Sequence, residues 1–116
     1  MTERKRRWTV RLTATAASDF EHIIDWTIEH FGDSQAAAYA ETLSLAVEAL
    51  ADGPSVAGAK QRDEILKGLH SLHVARQGRK GSHFVMYRVA GSGDAIEVLR
   101  LLHDSMDLPR HLGSAK

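Results

Sequence analysis

Basic and imidazole side chains are concentrated in the last third of the chain, where they could act on a phosphodiester. Arg76, Arg88, Arg100 and His103 follow one another along this stretch. Cleavage of RNA without a metal needs a base for the 2′-hydroxyl, an acid for the leaving oxygen and cations on the phosphate. A nuclease site built from these residues would use His103 for proton transfer, with Arg88 and Arg100 holding the phosphate.

The acid and the base of such a site are harder to find than the cations. The two tyrosines are Tyr39, within the apolar stripe of a predicted helix, and Tyr87, in the middle of a predicted strand. After Leu102 the chain has histidines but no tyrosine. A histidine in the position of His103 more often ends a strand and bonds to the backbone. The residues therefore favour binding over catalysis. The sequence predicts no catalytic residue, unless the protein is a nuclease in which His103 transfers a proton.

The seven histidines of the chain do not have the spacing of metal ligands. His70 and His73 are three residues apart in a predicted strand, so their side chains point to opposite faces. His22 and His30 are eight residues apart on a predicted helix, which is too far for one ion. The chain has no cysteine, which excludes thiolate ligands and disulfides. The sequence predicts no metal site and no cofactor.

Two helices should position the candidate residues. Apolar side chains recur at helical spacing over residues 16–31, and the acidic residues of that segment stay off the apolar stripe. A second, alanine-rich helix follows Gly32, and Gly53-Pro54 ends it. Since the connection is so short, the two helices must form an antiparallel hairpin.

Four strands complete the predicted domain. Alternating apolar and polar residues predict a strand over residues 8–13, and three more fit residues 69–75, 83–89 and 95–102. A glycine-rich turn joins the last two as a hairpin. The order β-α-α-β-β-β is that of an α+β domain with a helical hairpin packed on an antiparallel sheet. The predicted core consists of Ile23, Ile24, Ile28, Leu43, Val47, Leu50, Phe84 and Val98.

Several apolar residues fall outside this predicted core. Ala38, Leu45 and Ala49 lie opposite the core stripe of the second helix, and Trp26 is at the border of the first stripe. Residues 83–89 are apolar on both faces of their strand, so the sheet face away from the helices, to which Arg88 would belong, stays partly apolar. Because small domains rarely leave such a face bare, we expect a protein partner.

Charge is unevenly distributed although the formal net charge is zero. Every formal charge between Ala14 and Gly53 is negative, and all the positive charge lies on the flanks of that segment. This asymmetry favours a polar partner surface over general affinity for nucleic acid.

The length of 116 residues predicts one domain, over residues 8–112, between a flexible basic leader (residues 1–7) and a short tail (residues 113–116). No apolar run approaches the roughly 18 residues that a membrane span needs. The basic start is not followed by the apolar region of a signal peptide. We therefore expect a cytoplasmic protein.

Most of the chain resembles the ParE toxins of the RelE/ParE superfamily of bacterial toxin–antitoxin systems. The more specific matches are the segments HFVMYR (residues 83–88) and LRLLHDSMDL (residues 99–108), whereas the match near VRLT (residues 10–13) is general to the superfamily. The resemblance implies the toxin of a type II pair, which binds DNA gyrase and needs no catalytic residue of its own.

The resemblance also implies a partner, a ParD-like antitoxin that contacts DNA for the pair and wraps the toxin with a flexible tail. The surface expected to bind this tail comprises Trp26, Ala38, Leu45, Ala49, Arg76, Arg88 and Arg100. The alternative is the other branch of the superfamily, whose RelE-type members cut messenger RNA on the ribosome. In that case His103, Arg88 and Arg100 are the candidate site.

Overall fold

The structure is a computed structural model that describes residues 7–112, except for the side chain of His111. The predicted tail and the predicted leader, apart from Arg7, lie outside the described residues. The helices are α1 (Ala14–Phe31), α2 (Asp33–Ala49) and α3 (Leu108–Leu112), with a 3-10 turn at Leu50–Asp52. The strands are β1 (Thr9–Leu12), β2 (Lys60–Gln61), β3 (His70–His73), β4 (His83–Val89) and β5 (Ala95–His103).

The predicted α+β fold, a helical hairpin on a sheet, is confirmed. Thr13 begins α1 by accepting a hydrogen bond from the N–H of Ala16 on its hydroxyl (3.1 Å). Gly32 lies between the two helices with φ 92°, a conformation that glycine adopts without strain. This single residue reverses the chain and places α2 antiparallel to α1.

The sheet has the order β1-β5-β4-β3-β2. Its strands pair antiparallel except β1, which lies parallel to β5 at one edge. The expectation of an antiparallel sheet is wrong at this edge, because the helical hairpin and three strands separate β1 from β5 and no hairpin turn fixes their relative direction. The two-residue strand β2 lies within a segment that has no strand periodicity in the sequence. An irregularity in the β4–β5 pairing at Met86/Tyr87 leaves Leu99 without a partner.

The main core lies between the helical hairpin and one face of the sheet. Leu43, Leu50 and Val98 are fully buried there, as predicted. The predicted core residues Ile23, Ile24 and Val47 are half-buried at the margin of this core.

Ile28 is not a core residue, and its assignment from the helical stripe is wrong. Its side chain is 42% exposed, and the buried residues of α1 are Ala16 and Thr27. A broad cleft separates the second half of α1 from the adjacent ends of β4 and β5. The apolar stripe therefore continues along α1 beyond the part of the helix that the sheet covers.

The second face of the sheet carries a smaller core. Met86 and Leu102 are fully buried beneath Leu108 and Leu112 of α3, and the half-buried Phe84 packs at its margin. The expectation that this face is free is therefore wrong around Met86, because the chain after β5 folds back over it as α3. The exposed Arg88 is on this face with its cross-strand partner Glu97, away from the part that α3 covers.

Truncation of a residue in the main core should be much more destabilising than truncation on the outer part of the α1 stripe. We expect Leu43→Ala to lower the free energy of unfolding by about 2–5 kcal/mol, since it leaves a cavity in a fully buried position. Ile28→Ala should change it by about 0.5 kcal/mol or less. Urea unfolding of the two variants and the wild type measures both values. Equal losses would contradict the assignment of Ile28 to the surface.

Candidate functional site

A groove of about 290 Å³, named the α2 groove, runs between α2 and the turn that follows β3. Leu45 and Ala49 line its helical side, and Arg76, Gln77 and Arg79 line the opposite side. The side chain of Leu45 is 42% exposed. The groove therefore combines an apolar floor with charged side chains of both signs, since Glu48 and Asp52 also line it. It brings together three of the seven predicted binding residues: Leu45, Ala49 and Arg76.

Arg79 fastens the turn after β3 to α2. Its Nε donates to the Thr42 hydroxyl (2.9 Å), and its Nη2 donates to the carbonyl oxygen of Ala38 and to the Glu41 carboxylate, each at 3.3 Å. The predicted residue Ala38 is seven residues before Leu45, or two helical turns, so both lie on the same stripe of α2. Ala38 does not line the groove. Arg76 makes one long hydrogen bond to the Ala57 carbonyl (3.4 Å), so its guanidinium has donors left for a partner.

The structure does not bring the other two predicted arginines into this groove. Arg100 forms a bidentate pair with Asp19 of α1, with Nε–Oδ2 at 2.8 Å and Nη2–Oδ1 at 3.1 Å. Its hydrogen bond to Asp19 raises the pKa of Arg100. Arg88 pairs with Glu97 at 3.4 Å, and the same carboxylate also lies 3.8 Å from Arg11. Both arginines thus bind carboxylates of this chain, on surfaces other than the α2 groove.

A second and larger concavity, named the aromatic cleft, has a volume of about 830 Å³. It lies between α1, α2 and the adjacent ends of β4 and β5. The predicted residue Trp26 lines it together with Phe31, Tyr39 and Met106, and His83 and His103 close its polar end. Trp26 and Phe31 are 53% and 63% exposed. Trp26 therefore belongs to a different surface from Leu45 and Arg76.

A hydrogen-bonded chain runs through the polar end of the aromatic cleft. The backbone N–H of Ser82 donates to the Tyr39 hydroxyl (2.9 Å), which lies 2.6 Å from Nδ1 of His83. Burial, with a smaller effect of His103, lowers the pKa of His83 to about 4. A neutral His83 accepts a hydrogen bond from the Tyr39 hydroxyl at Nδ1, so its own hydrogen lies on Nε2. Burial likewise raises the pKa of Tyr39, so both groups are uncharged at neutral pH.

His103 ends β5, as predicted, and its ring bonds to the turn that follows. Its Nδ1 accepts the backbone N–H of Ser105 (3.1 Å) and lies 2.8 Å from the hydroxyl of the same residue. The Asp104 carboxylate approaches this same nitrogen at 3.6 Å. A proton relay from Ser105 through His103 to Asp104 would need one partner on each ring nitrogen, so these three residues do not form one. Asp104 is instead bound by Nε2 of His73 at 2.8 Å, and this hydrogen bond lowers the pKa of the carboxyl.

The three residues of the alternative nuclease site do not form one constellation. His103 pairs with His83 at one end of the β4–β5 ladder, whereas Arg88 faces Glu97 towards the other end. Arg100 is held by Asp19. His83 could join His103 as a second imidazole, but the residues that line the aromatic cleft include no lysine or arginine to bind a phosphate. The arrangement suits the binding of an apolar group better than phosphodiester chemistry.

Two further features would bear on function in residues 7–112: a metal site and a membrane-spanning helix. Within that range, no three histidine or acidic side chains are grouped as a metal would require. No helix there is long and apolar enough to cross a membrane.

Several residues of these surfaces were not assigned a binding role from the sequence. Phe31, Tyr39 and His83 of the aromatic cleft and Arg79 of the α2 groove are examples. The partners Tyr39 and His83 are 44 residues apart, and Arg79 and Thr42 are 37 residues apart. The sequence contains no local signal for contacts at such separations. The one hint was the exposed aromatic Trp26, which marks the cleft but not its other walls.

Sequence comparison identifies the family of this chain. Residues 10–108 match the model of the ParE toxin of the parDE type II toxin–antitoxin system. The chain belongs to the ParE toxin family. It is 37% identical to Toxin ParE1 of Caulobacter vibrioides over 103 residues, which covers 89% of this chain and 96% of the relative. It is also 37% identical to Toxin ParE1 of Mycobacterium tuberculosis over 101 residues, with 87% and 94% covered.

Solved structures share the fold of this ParE family member. The chromosomal ParDE toxin–antitoxin system of P. aeruginosa superimposes with a TM-score of 0.67 at 21% identity, covering 83% of this chain and 95% of the other. The RelBE2 toxin–antitoxin complex of Mycobacterium tuberculosis gives a TM-score of 0.54 at 24% identity, with 84% and 98% covered. At these identities the likeness establishes the helical hairpin on a sheet and no more.

The pKa of His83 predicts a pH dependence of stability. Because its folded value of about 4 lies below the value of 6.5 for a free imidazole, protonation favours the unfolded chain. The stabilisation is complete above about pH 6.5 and is lost as the pH falls towards 4. Urea unfolding over this range should show a steeper loss for the wild type than for His83→Gln.

The control for this experiment is His30→Gln, which changes an exposed histidine of α1 and should keep the wild-type slope. The hydrogen bond from His73 lowers the pKa of the neighbouring Asp104, but this pair is present in all three proteins and contributes to each of their slopes. Identical slopes for the wild type and His83→Gln would contradict the burial of a neutral imidazole.

Proposed function

We propose that this protein is the toxin of a type II toxin–antitoxin module, acts in the cytoplasm and arrests growth by binding DNA gyrase without a catalytic step of its own. Membership of the ParE family supports the toxin role. The observation that carries the mechanism is the engagement of Arg100 by Asp19 and of Arg88 by Glu97. The cations of a nuclease site are thereby neutralised within the chain, and Arg88 is remote from His103. Inhibition by binding requires no such site.

The same proposal includes neutralisation by a ParD-like antitoxin, through which the pair contacts DNA. The α2 groove is the proposed site of the antitoxin tail. Leu45 and Ala49 would receive apolar side chains of the tail, and Arg76, with donors left unused, would pair with a carboxylate. A disordered tail that folds on binding suits a long, shallow surface of this kind.

Leu45→Asp should weaken binding of the antitoxin that is encoded with this toxin. The substitution places a charge on the apolar floor of the groove, and loss of a central interface residue typically costs about 2 kcal/mol or more, or roughly a 30-fold rise in Kd. Isothermal titration calorimetry with the purified antitoxin measures the change. The fold should persist, since the side chain is already 42% exposed.

Ile28→Asp is the matched control, because Ile28 has the same exposed fraction of 42% and lies on α1 outside the groove. Its Kd for the antitoxin should equal that of the wild type. An unchanged Kd for Leu45→Asp would exclude the α2 groove from the antitoxin interface.

The proposed target is tested with the purified toxin in two assays. We expect inhibition of gyrase-catalysed DNA supercoiling and no new cleavage of messenger RNA, either free or on translating ribosomes. Removal of a general acid or base typically lowers an enzymatic rate by about 10²–10⁴. A nuclease that uses His103 for proton transfer should lose its cleavage in His103→Ala. If new cleavage sites appear in ribosome-bound messenger RNA with the wild type and disappear in this variant, the RelE-type alternative replaces the gyrase proposal.

A further inference from the structure

The aromatic cleft presents a large apolar surface that the fold of residues 7–112 does not cover. Trp26 and Phe31 contribute their exposed rings to it, and Met106 lies across from them in the turn after β5. The lining includes no aspartate, glutamate, lysine or arginine. Its polar groups at the Tyr39–His83 end already bond to each other. The cleft is therefore suited to receive an uncharged apolar side chain from a partner.

A row of carboxylates flanks the cleft on the adjoining stripe of α1. Glu21, Asp25 and Glu29 follow one another at intervals of four residues, so they lie one above the next on the helix, and all three are exposed. None of them takes part in the ion pairs found among the described residues. The row thus combines with the apolar cleft to form one surface.

This carboxylate row is unfavourable for the isolated toxin. Like charges four residues apart destabilise a helix by about 0.2–0.5 kcal/mol per pair. Glu29 also lies near the carboxyl end of α1, where the helix dipole opposes a negative charge. A cationic partner segment would relieve both costs, and the free toxin gains no compensation for them within residues 7–112. The negative charge of the row therefore favours a partner segment of positive charge.

The α2 groove differs from the cleft in its charges. Its lining includes Arg76 and Arg79 together with Glu48 and Asp52, so both signs meet there, whereas the row of α1 is wholly acidic. We infer that the aromatic cleft, with the carboxylate row of α1, binds a basic segment of the target protein that inserts an apolar anchor between Trp26, Phe31 and Met106. This inference rests on the proposed function, because it identifies that partner as the target of the toxin and not as the antitoxin tail.

The first test uses the toxin alone and needs no gyrase. Two dye-labelled helical peptides of the same length, one of leucine and lysine and one of leucine and glutamate, are titrated with the toxin and followed by fluorescence anisotropy. The lysine peptide should bind at least about tenfold more tightly, since complementary charge adds to a shared apolar contact. Asp25→Asn/Glu29→Gln should abolish this difference, and Phe31→Ser should weaken binding of the lysine peptide.

Two control variants keep this test specific. Glu64→Gln/Asp94→Asn removes the same number of exposed carboxylates from the loop after β2 and from the β4–β5 turn, and it should keep the peptide preference. Leu45→Asp should also keep it while losing the antitoxin. Equal affinities of the two peptides for the wild type, or loss of the preference in Leu45→Asp, would overturn the inference.

The second test uses purified gyrase and separates this inference from the proposed function. If the wild type inhibits supercoiling, Asp25→Asn/Glu29→Gln and Phe31→Ser should each need about tenfold more toxin for equal inhibition, with an unchanged Kd for the antitoxin. If both variants inhibit supercoiling as strongly as the wild type does, the cleft is not the surface that binds the target. If the wild type leaves gyrase active, gyrase is not the target, and the peptide titration alone decides whether the cleft binds a basic segment.

Discussion

The bidentate contact between Asp19 and Arg100 joins the first helix to an interior strand of the sheet. Besides accepting both guanidinium donors, the carboxylate of Asp19 accepts the backbone N–H of Leu101 at 3.0 Å. Its side chain is only 14% exposed, so solvent screens this pair less than a surface pair. The contact ties the first half of α1 to β5, whereas the second half of the helix borders the aromatic cleft.

The same contact has a consequence for function. An arginine that neutralises a half-buried carboxylate of its own chain is no longer available to bind a phosphate. Arg88 is engaged in a similar way by Glu97, although that pair is more exposed. At the α2 groove, Arg76 makes one long hydrogen bond within the chain and keeps donors for a partner.

The two concave surfaces of the toxin differ in their chemistry. The α2 groove carries charged groups of both signs beside an apolar helix stripe, whereas the lining of the aromatic cleft includes no carboxylate, lysine or arginine. The neutrality of the cleft depends on burial, which keeps His83 deprotonated and lets its Nδ1 accept a hydrogen bond from the Tyr39 hydroxyl. The two surfaces therefore differ in charge as well as in volume, and they lie on different sides of the helical hairpin.

Periodicity in the sequence was sufficient to predict the helical hairpin, four of the strands and the order of these elements along the chain, because each element depends on neighbours within a few residues. It also placed Leu45 and Ala49 on the outer stripe of α2. The packing of α3 on the sheet was not predicted, since a five-residue helix has too few turns to show a period. The parallel edge strand was likewise hidden, because pairing between β1 and β5 joins opposite ends of the chain.

The sequence by itself determined the family, the fold and the acidic character of the helices. Only the tertiary structure decided which charged side chains face a partner. Asp19 and Arg100 are 81 residues apart, and Tyr39 and His83 are 44 apart, so no local pattern could show that they satisfy one another. The separation of Trp26 from Leu45 and Arg76 was decided in the same way. Adjacency across a folded core depends on helix and strand placement, which residue types alone do not specify.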